Sequence, residues 1–210
     1  MATSAATHKR QHCAACLRPQ SACICPWITP LALQVEVLIL QHPLEVDNTK
    51  GTARLLQLSL PNSQLLTGEV FDPQLLADSP KHQLLLYPEI ANEQALGLPT
   101  PPMLDPACLS DPAKLRLIVL DGTWRKSRKI LYLNPLLQQL PRLSLRDMPA
   151  SSYRIRRAHA PDQLSTLEAT CAALAQLEGD AEKFQPLLAA FDGFVAQQLS
   201  YRCGPDLQGK

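Results

Sequence analysis

An unbroken apolar run, Leu117–Leu120, is the feature that most narrows the folds open to this chain. A continuous run of this kind is typical of a strand buried on both faces, as in a parallel sheet. Asp121, Gly122, Thr123 and Trp124 follow it directly. Gly122 permits a sharp exit from the strand, and Thr123 can cap the helix that follows. Because open parallel sheets bind ligands outside the carboxyl ends of their strands, we predict a functional site here.

The charge that follows this motif is unevenly distributed. The whole chain has a net charge of +1, but between Arg125 and Arg157 it has nine Lys or Arg residues against one acid, Asp147. Such a patch suits a polyanion such as nucleic acid. The alternatives are structural, since a cationic run is commonly a solvated helix face, Asp-Gly is a common turn, and Trp124 could simply pack under a helix. Because the cations recur over three consecutive segments beside the predicted site, we favour the polyanion.

Length and terminal composition indicate the class of protein. The 210 residues, 46% of them hydrophobic, suffice for one sizeable core and a small appendage. Residues 1–12 have no apolar run of the kind found in signal peptides, and no window reaches the roughly 18 apolar residues of a membrane-spanning helix. We therefore expect a cytoplasmic protein without a membrane partner. Disulfides rarely persist in that compartment, so the seven cysteines should be metal ligands, core residues or nucleophiles.

Four of these cysteines form the first motif of the chain. They are arranged as Cys13-Ala-Ala-Cys16, six further residues, and Cys23-Ile-Cys25. Two close cysteine pairs can supply four thiolates to a tetrahedral metal, and clustered thiols without metal would be prone to oxidation. We predict a structural zinc site, although the Cys-x-Cys spacing departs from the commonest zinc ribbon and leaves iron possible. Four sulfur ligands leave no open position for catalysis, and the adjoining His12 is a less favoured ligand.

Hydrophobic periodicity predicts an α/β fold. Strands and helices should alternate along the chain, which favours a mostly parallel sheet. None of the eight glycines forms a Gly-x-Gly pair, so the dinucleotide-binding fingerprint is absent. The proline-rich residues 97–112 should form a surface loop. We expect strands at Val35–Gln41, Leu66–Phe71, His82–Pro88, Leu117–Leu120 and Pro141–Leu145. We expect helices at Ala53–Leu60, from Trp124 to about Asn134, at Thr166–Leu177 and at Asp180–Arg202.

The predicted helix at Thr166 has a recognisable start. Ser165-x-x-Glu168 fits a capping box. A capped helix N-terminus is also a natural site for a ligand carboxylate. The two roles are compatible for Ser165 and Thr166 but compete for Glu168.

Six short motifs occur in a fixed order along the chain. They are the cysteine knuckle; His42-Pro43 with Asn48-Thr49 and Thr52-Ala-Arg-Leu-Leu56; Tyr87-Pro88; Asp121-x-Thr123-Trp124; Ser152-Tyr-Arg-Ile-Arg156; and Leu164-Ser-Thr-Leu-Glu-Ala169. In that order they resemble the DTW-domain proteins, the tRNA-uridine aminocarboxypropyltransferases. The resemblance extends from about residue 12 to residue 200. Asp-x-Thr-Trp alone is weakly specific, whereas six ordered motifs are far more specific.

The resemblance implies a fold, a cofactor and a reaction. The fold would be SPOUT-like, an α/β sheet with a C-terminal trefoil knot, with the zinc knuckle on residues 1–30 and the catalytic domain on residues 31–210. The enzyme would transfer the 3-amino-3-carboxypropyl group of S-adenosylmethionine to N3 of a uridine in tRNA, leaving methylthioadenosine. The cofactor would contact the loops after the late strands, at Tyr87, Pro88, Leu120, Asp121, Ser151, Leu164, Ser165 and Thr166.

The Asp-x-Thr-Trp residues Asp121, Thr123 and Trp124 are the expected catalytic residues. Uridine N3 is a weak acid, so a base should help to remove its proton, and Asp121 is the only acid in the motif. Its alternative role is to cap the following helix or to hold Arg154. Trp124 or Tyr153 could stack on the target base or on adenine. The expected substrate-binding residues are His42, Arg54, Arg125, Lys126, Tyr153, Arg154 and Arg156, with Arg157 beside them.

Other classes of function remain open from the sequence. A SPOUT methyltransferase would share the fold and the cofactor but transfer a methyl group. A non-catalytic zinc-knuckle RNA-binding protein would need no base at Asp121. A thiol hydrolase would use Cys108, Cys171 or Cys203, but none of these cysteines has a histidine nearby in sequence. The oligomeric state is open, with a monomer favoured.

Overall fold

The chain folds around a sheet of five strands, each parallel to its neighbours. The strands are β1 (Glu36–Gln41), β2 (Ser63–Thr67), β3 (His82–Leu86), β4 (Leu115–Asp121) and β5 (Arg142–Leu143). They lie in the order β2-β1-β4-β3-β5. The structure, a computed structural model, describes residues 11–88, 97–145 and 164–201. The expected α/β class and the parallel sheet are confirmed.

One predicted strand has the wrong bounds. We expected Leu66–Phe71, whereas β2 spans Ser63–Thr67 and pairs with β1 from Val37 onward. The reason is that β2 lies at the edge of the sheet, where none of its residues is buried, so polar residues occupy its start. A prediction based on the run of apolar residues therefore places this strand too late in the sequence. The strand predicted at Pro141–Leu145 is confirmed but reduced to the two residues of β5.

Helices cover both faces of the sheet. They are α1 (Ala53–Ser59), α2 (Gln74–Ala77), α3 (Trp124–Leu133), α4 (Pro135–Gln138), α5 (Thr166–Glu178) and α6 (Gln185–Ser200). Successive strand residues point to opposite faces. Val37 and Ile39 accordingly join a core with residues of α1, α5 and α6, whereas Leu38 and Leu40 join a second core with residues of α2, α3 and α4. The sheet is thus buried on both sides, as the apolar runs predicted.

The ends of the C-terminal helices follow local chemistry. Gly179 ends α5 in the left-handed conformation, with φ of 67°, which a glycine adopts without steric cost. The helix predicted from Asp180 begins later, at Gln185, because a 3-10 turn at Glu182–Phe184 precedes α6. In the described parts of the chain, no helix is both long enough and apolar enough to cross a bilayer.

The N-terminal segment is packed against the C-terminal helix. The Trp27 indole lies directly over Gly193 of α6, where a Cβ would come within 2.1 Å of the ring. Trp27 Nε1 donates a hydrogen bond to Gln197 Oε1 (2.6 Å), and the Tyr201 hydroxyl donates one to the Ser21 carbonyl (2.8 Å). Cys16 is buried in the same core as α5 and α6. The cysteine segment therefore shares a core with the helices that cover the sheet.

Candidate functional site

The crevice at the carboxyl edge of the sheet lies between β1 and β4. After β1 the chain continues through α1 to β2 on one side, and after β4 it continues through α3 and α4 to β5 on the other. Connections that leave neighbouring strands in opposite directions open a ligand crevice between the strand ends. Gln41 and Asp121 are register partners at this point. The sequence motif after β4 therefore lies where an open parallel sheet binds its ligands.

Asp121 joins three elements at this crevice. Its side chain is only 5% exposed. Asp121 Oδ2 accepts a hydrogen bond from Gln41 Nε2 (2.9 Å) on β1, and Oδ1 accepts one from Thr166 Oγ1 (2.6 Å) on α5. These two contacts hold the carboxylate in one orientation. They also direct it toward β1 and α5, and neither of them caps α3.

The start of α5 is fixed by the predicted capping box. Ser165 Oγ accepts a hydrogen bond from the Glu168 amide (3.2 Å), and Glu168 Oε2 accepts one from the Ser165 amide (2.8 Å). The capping role that competed for Glu168 is therefore confirmed. The Leu167 amide donates to Thr52 Oγ1 (3.2 Å), at the start of α1. Asp121 thus contacts a helix end that is itself held in place.

Thr123 does not cap α3 as we expected. It occupies the N-cap position, but its hydroxyl makes no capping hydrogen bond and the residue is exposed. The turn is stabilised instead by Ser127, whose hydroxyl donates to the Gly122 carbonyl (3.3 Å). A Cβ on Gly122 would lie 2.9 Å from the Cβ of Lys126, so the strand and helix approach too closely for a larger residue. The close approach of the Gly122 backbone to Lys126 therefore explains why a glycine follows β4.

An aromatic pair stands beside the crevice. Trp124 is 48% exposed and does not pack beneath α3, so the structural alternative for this residue is wrong. Its ring meets Tyr87 edge to face, with centroids 5.8 Å apart. The Tyr87 hydroxyl is buried, and no described residue makes a hydrogen bond of good geometry with it. Burial raises the pKa of Tyr87, whereas the neighbouring guanidinium of Arg128 lowers it. Tyr87 therefore places a polar atom in an apolar wall next to the site.

Arg142 is a site residue that the sequence reasoning missed. Its guanidinium lies 5.2 Å from the centre of the Tyr87 ring, and Nη1 donates to the Pro88 carbonyl (3.4 Å). Arg142 is 7% exposed on β5. A buried arginine needs partners, so a cation inside a predicted strand was the signal that could have identified it.

The cations of α3 fall into two groups. Lys126 Nζ pairs with Glu45 Oε1 (2.8 Å), and Lys129 Nζ pairs with Glu69 Oε2 (2.6 Å). Arg125 and Arg128 are exposed and form no ion pair with any residue that the structure describes. Half of the cationic run is therefore neutralised within the protein, which the local charge count could not show.

His42 and Arg54 both make contacts within the protein. His42 is buried, its Nδ1 accepts a hydrogen bond from the Leu44 amide (3.2 Å), and its Nε2 lies 2.8 Å from Glu69 Oε1. Arg54 Nη2 donates to the Ala15 carbonyl (2.7 Å) in the cysteine segment. These contacts favour a positioning role for both residues beside the crevice.

The four cysteines of the first motif come together as a possible metal centre. Their Sγ atoms all lie within 4.8 Å of one another, with 3.5 Å between Cys13 and Cys25 and 3.8 Å between Cys16 and Cys23. Zinc bound tetrahedrally at 2.3 Å from sulfur would separate its ligands by about 3.8 Å. His12 lies outside the cluster, since its Nδ1 donates to the Leu17 carbonyl (2.8 Å).

The electrostatics of this cluster favour a thiolate at one of its ligands. Hydrogen bonds from the amides of Cys16 and Ala15 lower the pKa of Cys13 to about 6, whereas burial raises the pKa of Cys25 to about 12. Leu17, which follows the first cysteine pair, has a φ of 62°. The left-handed conformation is costly for a leucine and persists where the surroundings fix it. Thiolate stabilisation and a fixed turn both fit a metal-binding knuckle.

The remaining predicted site residues are not all within the described chain. Cys171 is buried, and burial raises its pKa to about 12, which disfavours the thiolate that a nucleophile needs. Cys108 is half-buried, 4.0 Å from Asp105 Oδ2. The predicted site residues Ser151, Tyr153, Arg154, Arg156 and Arg157, together with Cys203, lie outside the described residues.

Comparison with known proteins gives one family match. The model of the DTW domain matches residues 10–199. The chain is 31% identical over 204 residues to tRNA-uridine aminocarboxypropyltransferase 2 of Macaca fascicularis, covering 92% of this chain and 65% of that protein. It is 32% identical over 203 residues to tRNA-uridine aminocarboxypropyltransferase 2 of Drosophila melanogaster, covering 91% of this chain and 76% of that protein.

A plant relative is similar over a shorter region. tRNA-uridine aminocarboxypropyltransferase A of Arabidopsis thaliana is 30% identical over 138 residues, which cover 60% of this chain and 52% of that protein. The chain thus spans about two thirds or less of the length of the macaque and plant relatives. No solved structure is significantly similar to it.

Proposed function

The chain belongs to the DTW-domain family, and from this membership we propose that it transfers the 3-amino-3-carboxypropyl group of S-adenosylmethionine to N3 of a uridine in tRNA, releasing methylthioadenosine. The names of its relatives, tRNA-uridine aminocarboxypropyltransferases, support the reaction and the substrate. The observation on this chain that carries the proposal is the Asp121 carboxylate, which Gln41 and Thr166 hold at the mouth of the crevice beside the exposed Trp124.

The residues around the crevice fit S-adenosylmethionine. The buried Tyr87 hydroxyl makes no hydrogen bond of good geometry with a described residue, and a buried polar atom of this kind is suited to a ligand. The first turn of α5 carries the partial positive charge of a helix N-terminus, and the carboxylates of Glu168 and Asp121 already lie against it. Leu120 supplies apolar surface at the end of β4. We assign the cofactor contacts to Tyr87, Pro88, Leu120, Asp121, Ser151, Leu164, Ser165 and Thr166.

The proposed chemistry divides between cofactor and protein. When bound, S-adenosylmethionine supplies a carbon activated by its positively charged sulfur. Asp121 would accept the proton that uridine N3 loses on taking up the group, with methylthioadenosine as the leaving group. Gln41 and Thr166 hold the carboxylate in one orientation, so the base is in position before the substrate binds. Thr123 and Trp124, exposed at the same turn, complete the proposed catalytic set.

The proposed tRNA contacts differ in their exposure. Arg125 is exposed and is our first candidate to bind phosphate, together with Arg154 and Arg156, and Tyr153 is our candidate to stack on a base. Lys126, Arg54 and His42 have protein partners, so we assign them to positioning the segments around the crevice.

The four-cysteine cluster is proposed to hold a structural zinc ion. The spacing of the sulfur atoms and the absence of an open ligand position support zinc in a structural role. We propose a cytoplasmic location, where disulfides rarely persist and clustered cysteines are commonly metal ligands. We further propose a SPOUT-like fold with a C-terminal trefoil knot, which the parallel sheet supports, and a monomeric protein.

The direct test is mass spectrometry of unmodified tRNA incubated with metal-loaded protein and S-adenosylmethionine. We expect a mass gain equal to one aminocarboxypropyl group per modified uridine, with methylthioadenosine released. A methyl-sized gain with S-adenosylhomocysteine would instead identify a methyltransferase. No change in any tRNA would favour an RNA-binding protein without catalytic activity and would leave Asp121 with a structural role.

A further inference from the structure

The outer face of α3 carries an exposed groove that begins at Trp124 and Arg125, beside the proposed site, and continues to residues that the proposed chemistry does not use. Its volume is about 570 Å³. The opposite face of the helix, with Ser127, Ile130 and Leu131, is buried against the core. The lining residues lie at helical spacing on one face, which we name the α3 groove: Trp124, Arg125, Arg128, Lys129, Tyr132 and Leu133.

The composition of the α3 groove is unusual for a solvated helix face. Trp124, Tyr132 and Leu133 are 48%, 40% and 42% exposed, although the outer face of a surface helix is ordinarily polar. None of the lining residues is acidic. The groove therefore combines exposed rings with positive charge.

The charge of the groove comes mainly from two arginines. Lys129 is paired with Glu69. Arg125 and Arg128 form no ion pair with any residue in the described ranges. Guanidinium groups bind phosphate and also stack on bases. The two arginines therefore suit a nucleic acid better than they suit a small inorganic anion.

The groove leads away from the crevice. Trp124 is three positions after Asp121, and it contacts Tyr87 at the end of β3. Tyr132 is two turns further along the helix, about 12 Å from Trp124 at 1.5 Å per residue. Because stacked bases are about 3.4 Å apart, the two rings cannot enclose a single base between them and would each meet a different base.

We propose that the α3 groove binds unpaired nucleotides that adjoin the target uridine, with Trp124 and Tyr132 stacking on separate bases and Arg125 and Arg128 contacting the phosphates between them. Bases in loops are free to stack on aromatic side chains, whereas paired bases are not. This proposal depends on the proposed function for its tRNA substrate. It adds that an unpaired segment next to the target is recognised through α3, which selects for loops over stems.

The test compares binding of a short unstructured oligouridine, a fully paired RNA hairpin and an unmodified tRNA transcript by fluorescence anisotropy. Tyr132→Leu removes the ring but keeps an apolar side chain, and we expect it to weaken binding of oligouridine by about tenfold. Tyr132→Phe keeps the ring and should bind more tightly than Tyr132→Leu. Arg128→Gln should lower the slope of log affinity against log salt by about 0.7, the value for one phosphate contact on a single strand.

Lys114→Gln is the matched control for loss of a cation. Lys114 is exposed and lies at the start of β4, at the opposite edge of the sheet, so its substitution should change neither affinity nor salt dependence. In transfer assays, Tyr132→Leu should raise KM for tRNA and leave kcat nearly unchanged, because the ring binds substrate without taking part in the reaction.

The outcomes separate this proposal from the proposed function. If the wild type binds oligouridine through Tyr132 and Arg128 but transfers nothing, the groove is supported and the transferase proposal fails. If transfer occurs but neither variant alters affinity, KM or salt dependence, the groove is not an RNA site. The proposal would also be overturned if the protein bound the paired hairpin as tightly as oligouridine, or if it bound phosphatidylserine vesicles but not oligouridine. Retained thermal midpoints for the variants would exclude misfolding as the cause of lost binding.

Discussion

At the scale of single residues, Asp121 can lose its charge without losing its hydrogen bonds to Gln41 and Thr166. Gln41 and Thr166 both donate to the carboxylate, and the Gln41 amide can turn to present its oxygen to an asparagine. We therefore expect Asp121→Asn to fold normally. Since general-base catalysis contributes about 10²–10⁴-fold, turnover should fall by about 10²-fold or more while tRNA binding is largely retained. Single-turnover transfer assays and tRNA binding measured on the same preparation check this expectation.

Thr166 provides the companion variants for this measurement. Thr166→Val removes the donor to Asp121 Oδ1, whereas Thr166→Ser keeps it and should retain more of the activity. A fully active Asp121→Asn protein would show that the carboxylate is structural and that another group removes the proton. An inactive variant with a much lower thermal midpoint would likewise point to a structural role.

Glu69 should make part of the stability depend on pH. Hydrogen bonding from Lys129 is the main cause that lowers its carboxyl pKa from the usual 4.5, and His42 adds to it. A lowered pKa means that the folded state binds the charged form better, so this stabilisation is complete above pH 4.5 and is lost as pH falls through the lowered value. The difference in unfolding free energy between wild type and Glu69→Gln should therefore be constant near neutral pH and shrink below pH 4.5.

Urea unfolding at a series of pH values measures this difference. Glu182→Gln is the control, because Glu182 is exposed and forms no ion pair within the described residues. Its effect should stay small at every pH. A Glu69→Gln difference that grew in acid would contradict the assigned direction of the pKa shift.

Single residues differ in how far the sequence could predict them. The clustering of the four cysteines and the position of Asp121 at the carboxyl end of β4 could be predicted, because both signals are short patterns within one segment. The pairing of Lys126 with Glu45 could not, since the partners are 81 positions apart and only the fold brings them together. The contact of Arg142 with Tyr87 could not be predicted either, because it depends on β5 lying beside β3. Local chemistry is therefore predictable, whereas charge neutralisation and buried cation contacts require the tertiary structure.

At the scale of secondary-structure elements, Gly193 fixes how α6 meets the cysteine segment. In most helices Gly→Ala stabilises by about 1 kcal/mol. Here the added methyl would lie 2.1 Å from the Trp27 ring, so the effect should reverse in sign. We expect Gly193→Ala to destabilise the protein by about 1–3 kcal/mol, the usual cost of overpacking. The midpoint of urea unfolding measures this change.

Asp192→Ala is the control on the same helix. Asp192 is exposed, and its substitution should change stability by less than about 0.5 kcal/mol. Combining Gly193→Ala with Trp27→Leu should recover part of the loss, because the two side chains compete for one space. A stabilised Gly193→Ala protein would show that Trp27 does not press on α6 in solution.

The longer elements were largely predictable, whereas the edge strand β2 was misplaced and the four-residue helices α2 and α4 were not predicted. β1, β3 and β4 have continuous apolar residues because both of their faces are buried, and this signal is strong. β2 begins with Ser63 and Gln64 because the edge of the sheet is solvated, and its apolar signal is therefore weak. The order of the strands depends on contacts between distant segments and has no local signal in the sequence.

At the scale of the whole molecule, the cysteine cluster should stabilise the fold when it holds metal. We expect one equivalent of zinc per chain in purified protein and a lower thermal midpoint after removal of the metal by a chelator. Arg18 extends the effect beyond the cluster, because it donates to the carbonyls of Thr49 (2.6 Å) and Gly51 (2.7 Å) just before α1. Each kcal/mol of lost stability should lower the midpoint by about 2–4 °C in a chain of this size.

Cys13→Ser and Cys108→Ser form the matched pair for this measurement. Cys13 belongs to the cluster and its loss should reduce zinc content, whereas Cys108 lies outside it and should leave zinc content unchanged. Elemental analysis and differential scanning calorimetry give the two readouts. Purified protein with neither zinc nor iron and with four titratable N-terminal thiols would overturn the metal assignment.

The contact between Trp27 and Gln197 also has a consequence for biosynthesis. Its two partners are 170 positions apart, so the cysteine segment is synthesised long before the helix that covers it. At ribosomal rates of about 5–20 residues per second, the interval is on the order of ten to thirty seconds. During that interval the cysteine segment has already been synthesised, but α6, the helix on which it packs, has not. Zinc supply during translation, and not only in the finished protein, should therefore affect the yield of folded chains in the cell.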